Sequence, residues 1–290
     1  MGLVSNLWLG VLALLLCAST MGKASAQTGK FECTLIADAA TAQPLLRGGV
    51  CDRPVSPAST FKLPLAAMGF DAGILTGETA PAWKYRTEFD APKRDHKTVD
   101  PAIWERDSVL WYSRELTRRL GEERFAAYVA KFGYGNADVS GDPGQRNGLS
   151  HSWLSSSLLI SADQQAEFIR RLLADQLPVS AKAAALTRAV VPSFPAGDGW
   201  TVHGKTGSIF MRGRNGKFDR ARPIGWFVGW ADKGGRRVIF ARLLVDDKRS
   251  DEPLGRKERQ RIIEAFPRLM KQADRVLVAA TAPATMAKYS

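Results

Sequence analysis

Three runs rich in β-branched and aromatic residues, Thr201 to Ser208, Arg222 to Trp230 and Arg237 to Val245, follow one another beyond Pro192. They predict three strands, with Lys233-Gly234-Gly235 as the tight turn joining the last two. At the other end of the chain, Lys30 to Arg47 alternates around Ala37-Asp38-Ala39-Ala40-Thr41 and reads as a hairpin. Between these ends the period changes to that of a helix. Val109, Leu110, Tyr112 and Leu116, then Phe125, Tyr128 and Val129, space a helical stretch from Ile103 to Phe132. Ser161-x-x-Gln164 is a capping box opening a helix through Leu173, and Ser180 caps another. Gly73 to Pro101 reads as an extended connection, Gly133 to Gly148 as a loop, and Arg256 to Gln272 as a closing amphipathic helix, with a frayed tail from Ala279. Strands at both ends and helices between them predict an α+β sandwich. Its antiparallel sheet is built from both chain ends and flanked by helices, with an inserted, mostly helical lobe at roughly residues 75–190.

Leu7 to Ala18 is an apolar run too short for a membrane span and followed by Ala24-Ser25-Ala26, the pattern of a cleavable signal peptide, although no Lys or Arg precedes it. Cleavage before Gln27 is expected. Residues 1–26 would then be the signal, 27–290 a single domain, and the location periplasmic without stable membrane association. Cys17 follows Leu16, too large for lipoprotein processing, and leaves with the signal. Cys33 and Cys51 remain, an even pair in an exported chain. A disulfide is the favoured reading, two unpaired buried thiols the alternative. A bridge over such a loop contributes about 3 kcal/mol. The three His and remaining Cys are dispersed, so no metal site is expected. The net charge of +12 invites a nucleic-acid reading, but the basic residues are spread along the chain as solvated helix faces instead of forming one stripe. The sequence is compatible with a monomer or a homodimer.

The segment S-P-A-S-T-F-K-L-P, residues 56–64, sets Ser59 and Lys62 one helical turn apart, so their side chains share a face. Leu63 to Met68 continues as a buried helix. Burial disfavours an ammonium, and a neutral amine beside a hydroxyl is a candidate base beside a candidate nucleophile. Ser-x-x-Lys alone is weak, and three further stretches strengthen it. Lys205-Thr206-Gly207 ends a predicted strand, Ser108-Val109-Leu110 starts a helix, and Tyr134-Gly135-Asn136 heads the Gly-rich loop. Singly these are a solvated lysine, a helix cap and a turn. Their order and spacing together are not.

The chain resembles the serine β-lactamases and penicillin-binding proteins, which share S-x-x-K and K-T-G. It looks most like class D, the oxacillinases, through S-T-F-K at 59–62, S-V-L at 108–110, Y-G-N at 134–136, W-L-S-S-S-L at 153–158, K-T-G at 205–207 and G-W-F-V-G-W at 225–230. Leu110 departs from the family, which more often has valine there. The polar run Met211 to Pro223 falls where family loops vary. The resemblance implies hydrolysis of small-molecule β-lactams, with Ser59 as nucleophile of an acyl-enzyme. It needs no cofactor beyond CO2 or bicarbonate, which would make Lys62 an N6-carboxylysine and general base for both half-reactions. An apolar pocket is what such a lysine needs, since an exposed amine with pKa about 10.4 is rarely neutral; Leu110 and Phe61 are candidates for it. Trp153, whose indole N–H only donates, would hold the carbamate, unless it is core packing. Ser108 would relay a proton to the leaving nitrogen with help from Lys205. The N–H groups of Ser59 and Ser208 would form the oxyanion hole. Thr206, Gly207 and an arginine would meet the substrate carboxylate, Arg256 favoured over Arg249. Leu158 to Ala166 offers no carboxylate in the pattern of a class A deacylation base, which leaves Lys62 for that duty. The rival functions are a penicillin-binding transpeptidase or carboxypeptidase, and a β-lactam sensor domain.

Overall fold

The computed structural model describes residues 29–281. The expected signal segment lies outside them, as does most of the tail expected to fray. The strands are β1 (Phe31–Asp38), β2 (Pro44–Gly49), β3 (Ser193–Pro195), β4 (Thr201–Arg212), β5 (Phe218–Lys233) and β6 (Arg236–Val245). The helices are α1 (Lys62–Asp71), α2 (Pro101–Asp107), α3 (Leu110–Leu120), α4 (Glu122–Phe132), α5 (Gly148–His151), α6 (Ala162–Leu173), α7 (Ala181–Ala189) and α8 (Leu254–Thr281). The six strands form one sheet in the order β2-β1-β6-β5-β4-β3, antiparallel throughout. Both chain ends therefore build it, and the helices fall between and beyond them.

Side chains alternate across the sheet as a period of two requires. Ile36, Val202, Phe227, Ala231, Val238 and Phe240 face α8 and pack on its Ile262, Phe266 and Met270. Leu35, Trp226, Val228, Ile239, Ala241 and Leu243 face the opposite way, into one core with α1, α3, α4 and α6. Glu258, buried on α8, receives Arg242 of β6 at 2.6 Å and Arg261 at 2.6 Å, tying the last helix to the sheet. The Cys33–Cys51 disulfide is present, joining β1 to the segment that leads into Ser59.

Three local readings change. The stretch from Ile103 to Phe132 is broken by Ser108 (φ 59°) and Gly121 (φ 76°), so it lies within three helices, α2 to α4. Ser108 caps the end of α2, and α3 begins at Leu110. The run Met211 to Pro223 is largely strand, because β4 and β5 continue as a two-stranded arm around a turn closed by Gly213 N–H on Lys217 O at 2.9 Å. β3, only three residues long, carries no readable alternation. The capping box at Ser161 and the cap at Ser180 both form.

Candidate active site

Ser59 sits in a single 3-10 turn, Ala58–Phe61, that runs straight into α1. Contacts from distant parts of the chain fix this turn. Ala58 N–H donates to Trp153 O at 3.1 Å, Ser56 Oγ donates to Trp153 O at 2.7 Å, and Trp226 Nε1–H donates to Ser56 O at 2.9 Å. On the far side, Tyr134 OH donates to Gln165 Oε1 at 3.2 Å, Gln165 Nε2 donates to Thr60 Oγ1 at 2.7 Å, and Thr60 Oγ1 donates to Pro57 O at 2.7 Å. Strand β4 reaches the turn because Gly207 has no side chain. A Cβ there would lie 2.8 Å from Pro57 O and 3.2 Å from Thr60 Cγ2. The glycine of K-T-G is thus needed for close approach of backbone to backbone, and Gly207 is not among the residues lining the cavity described next.

That cavity, about 530 Å³, is lined by Ser59, Ser108, Leu110, Leu154, Thr206, Ser208, Arg256 and Arg259, with Arg94, Lys97, Arg106 and Asp107 at its rim. Arg256 comes into place because Gly255 N–H donates to Ser208 Oγ at 2.9 Å, docking the first turn of α8 on β4. Arg259, one turn further on, is a residue the sequence reading missed. Burial and the neighbouring Arg256 charge push its guanidinium down, and it rests 4.8 Å over the Phe194 ring. Arg249, the alternative to Arg256, is exposed and absent from the lining.

Beneath the cavity lie two buried lysines. Lys62, at the first position of α1, is 2 % exposed, and its Nζ has no hydrogen-bond partner among the described residues. Burial, then the Lys205 charge, push its amine down to about 7, against the opposing pull of Glu105 and Asp95. Its Nζ lies 6.0 Å from the centre of the Trp104 ring. Phe61 stands in the aromatic core with Trp153 (stacked, 5.3 Å), Phe125 and Tyr134. Lys205 donates to Ser108 Oγ at 3.1 Å and to Thr206 O at 3.2 Å, and burial pushes it down to about 8. Ser108 meets it by taking a left-handed backbone conformation that side-chain-bearing residues rarely adopt.

Tyr134, Gly135 and Asn136 stand away from the cavity. Asn136 accepts from Leu159 N–H at 3.0 Å and donates to Ser157 O at 2.9 Å, while Gly135 (φ 60°) lies so close to Leu159 O that a Cβ would meet it at 2.0 Å. The motif holds the 153–159 loop on which the Ser59 turn hangs. Asp163, the carboxylate between Leu158 and Ala166, faces outward and pairs with Arg47 at 2.9 Å. Among the described residues no group of His, Cys, Asp or Glu could hold a metal ion.

The family described as penicillin-binding protein transpeptidase domain matches residues 19–268. β-Lactamase OXA-9 of Klebsiella pneumoniae is 51% identical over 249 residues, covering 85% of this chain and 91% of that one. The chain belongs to the class D β-lactamases. β-Lactamase OXA-1 of Escherichia coli is 33% identical over 221 residues, 75% of this chain and 77% of its own. The crystal structure of the class D β-lactamase OXA-427 superposes with a TM-score of 0.76 at 40% identity, covering 83% of this chain and 99% of that one. Class D membership decides against the transpeptidase and sensor alternatives. Within this class D framework, Gln165, Arg259, Trp104 and Glu105 are the site residues that sequence reasoning passed over. Gln165 had a signal. With Ala162, Ala166, Ile169 and Leu172 it completes the inward face of α6.

Proposed function

We propose that this β-lactamase opens the β-lactam ring through an ester on Ser59 Oγ, with Lys62, carboxylated on Nζ, as general base in both half-reactions. The observation that carries this reading is the Lys62 amine itself: buried, without a hydrogen-bond partner among the described residues, drawn towards the neutral form, and one helical turn from Ser59. A neutral amine is the form that adds CO2, so the residues present suit the modification. The added carboxyl group supplies an anionic oxygen base at a place where the amine would offer only nitrogen.

The chain's own groups do the rest. Ser59, held by Trp153, Trp226 and Thr60, presents its hydroxyl at the cavity. The N–H groups of Ser59 and Ser208 stabilise the developing oxyanion, an interaction worth about 3–4 kcal/mol of barrier where it has been removed in other enzymes. Lys205 keeps a donor on Ser108 Oγ, and Ser108 hands a proton to the departing ring nitrogen. Thr206, Arg256 and Arg259 hold the substrate carboxylate against two positive charges. Trp153 braces the Ser59 turn through its backbone carbonyl, with its indole as the donor for the carbamate. Export before Gln27 into the periplasm completes the proposal.

Mass spectrometry of penicillin-treated protein should show an adduct on the Ser59 peptide, and Ser59→Ala should lose turnover with its melting temperature retained. Activity should fall in CO2-depleted buffer and return with bicarbonate. An adduct on another peptide would overturn the role of Ser59, and indifference to bicarbonate after degassing would make Lys62 a plain amine base.

A further inference from the structure

Glu105 has no part in the reaction derived above, yet the turn that carries it lies against both of the reaction's lysines. It follows Trp104, whose ring lies 6.0 Å from Lys62 Nζ, and precedes by three residues Ser108, whose Oγ receives Lys205 Nζ at 3.1 Å. The two lysines thus bracket the last turn of α2 that carries it. The side chain is 1 % exposed, and neither carboxylate oxygen has a hydrogen-bond partner among the described residues. The Lys62 amine is in the same state. A buried carboxylate and a buried amine, both unpartnered among the described residues, act on each other electrostatically, and leaving such groups unpartnered is costly.

The charged groups that act on this pair come from every element around it. Lys62 of α1 and Lys205 of β4 act on Glu105. Asp95, in the connection before α2, and Arg114 of α3 act on Lys62. Arg259 of α8 acts on Lys205. Asp95 has an exposed partner in Arg94 at 3.5 Å. Of the two carboxylates, Glu105 is the one whose charge acts on both lysines.

Carboxylation of lysine makes a bond between Nζ and the carbon of CO2 and breaks one Nζ–H bond, so a proton must leave. We propose that Glu105 accepts that proton: the Lys62 amine, CO2 and the Glu105 carboxylate give the Lys62 carbamate and the Glu105 carboxylic acid. One negative charge stands beside Lys205 before and after. The proposal rests on the carboxylated-lysine reading above. Two adjacent buried anions do not both stay ionised, so the new carbamate itself favours protonation of Glu105. Burial already pushes that carboxyl up to about 7, where exchange of a proton near neutral pH is easy. Glu105 acts through Lys62 and does not touch substrate; it is a positioning residue for charge.

The consequence is a missing proton. If Glu105 keeps it, carboxylation releases none to solvent, and the dissolved CO2 needed for half-occupancy is nearly the same at about pH 7.5 and about pH 8.5. If solvent takes it, that concentration drops about tenfold over the same interval. The test equilibrates the mature protein with 13CO2 at fixed gas pressure, follows the carbamate signal by NMR, and measures proton release with an indicator in weak buffer. The wild type should shift less than about twofold and release almost no proton, Glu105→Gln should shift about tenfold and release about one, and Glu105→Asp should return towards the wild type. A wild type that releases one proton per carbamate overturns the proposal without any variant, and so does a Glu105→Gln protein as flat as the wild type. A wild type with no carbamate signal at all overturns the carboxylated-lysine reading, and this inference with it.

Discussion

Gln165→Leu tests how the Ser59 turn is held. Gln165 is fully buried, and its amide links Tyr134 OH to Thr60 Oγ1. Leucine keeps much of the volume and removes both hydrogen-bonding ends. The Tyr134 hydroxyl, 1 % exposed and with its ionisation pushed far up by burial, then loses its Gln165 acceptor and keeps only the Thr60 side chain beside it. Losing that acceptor costs about 1–3 kcal/mol. Thr60 keeps its bond to Pro57 O and loses one donor, a further loss of about 1 kcal/mol. The single variant should therefore be destabilised by about 2–4 kcal/mol, read as a lower urea midpoint at unchanged slope. In a Tyr134→Phe background the hydroxyl is already gone, so Gln165→Leu should cost only the smaller part, and the cycle should show about 1–2 kcal/mol of coupling. Because Thr60 adjoins Ser59, kcat should fall as well, by up to about a hundredfold if the turn moves by an ångström. Additive costs, with kcat intact, would show that the relay neither spans the three residues nor positions the nucleophile.

Gly255→Ala places a Cβ 2.2 Å from Gly207 O, so the start of α8 must shift; stability should drop by about 1–3 kcal/mol and KM should rise as Arg256 moves, measured by thermal melting and steady-state kinetics. Arg256→Ala should raise KM about ten- to hundredfold through loss of a charge-assisted bond, while Arg249→Ala should leave it unchanged; the reverse result would reassign the carboxylate site. Burial lowers Lys62 from 10.5 to about 7 and raises Glu105 from 4.5 to about 7. The unfolded chain therefore holds the extra proton at Lys62 above pH 7, and the folded chain holds it at Glu105 below pH 7. In CO2-free buffer, stability from these groups should rise as pH climbs from about 7 and also as it drops from about 7 towards 4.5. Lys62→Met should shrink the alkaline rise and Glu105→Gln the acid one, and denaturation curves unchanged by either would contradict the burial argument. The unfolded mature protein should show no titratable thiol unless reduced first, and cleaving the Cys33–Cys51 bridge should cost about 3 kcal/mol.

The parts of the site that short-range spacing fixes were legible in the chain. Ser59 and Lys62 share a helical face by arithmetic alone, and Lys205 to Gly207 was placed on a strand because the strand was readable, although β4 runs on to Arg212 and sets the motif in mid-strand instead of at its end. The parts that depend on distant segments were not. Trp104 to Asp107 falls inside the helical stretch read from Ile103, where nothing in the spacing marks Glu105 as facing inward, and Arg106 beside it is exposed. Glu105 becomes buried only because β4 arrives from about a hundred positions away to set Lys205 against Ser108. That Arg256 and not Arg249 lines the cavity follows from Gly255 docking against Ser208, a contact between backbone and hydroxyl that leaves no periodic trace. The arm at 211–223 was unreadable for another reason. Its outer residues cover no core, so their strand geometry imposes no alternation of apolar and polar.

The sheet places the first strand beside the last, with Cys33 opposite Leu243. A chain made from its N-terminus therefore emerges with β1 waiting for a neighbour that is among the last segments to appear. The nucleophile waits too, since Trp226 and Gly207 clamp its turn and Lys205 lies further along than the whole helical lobe. Such distant pairings are slow to find, and an unpaired strand edge invites the wrong partner meanwhile. The Cys33–Cys51 bridge, tying β1 to the segment just after β2, would hold that hairpin in shape during the delay. A polypeptide that stops between Lys205 and β6 holds Ser59 and both lysines yet lacks the frame that makes them an enzyme, so activity arrives only with the last strand.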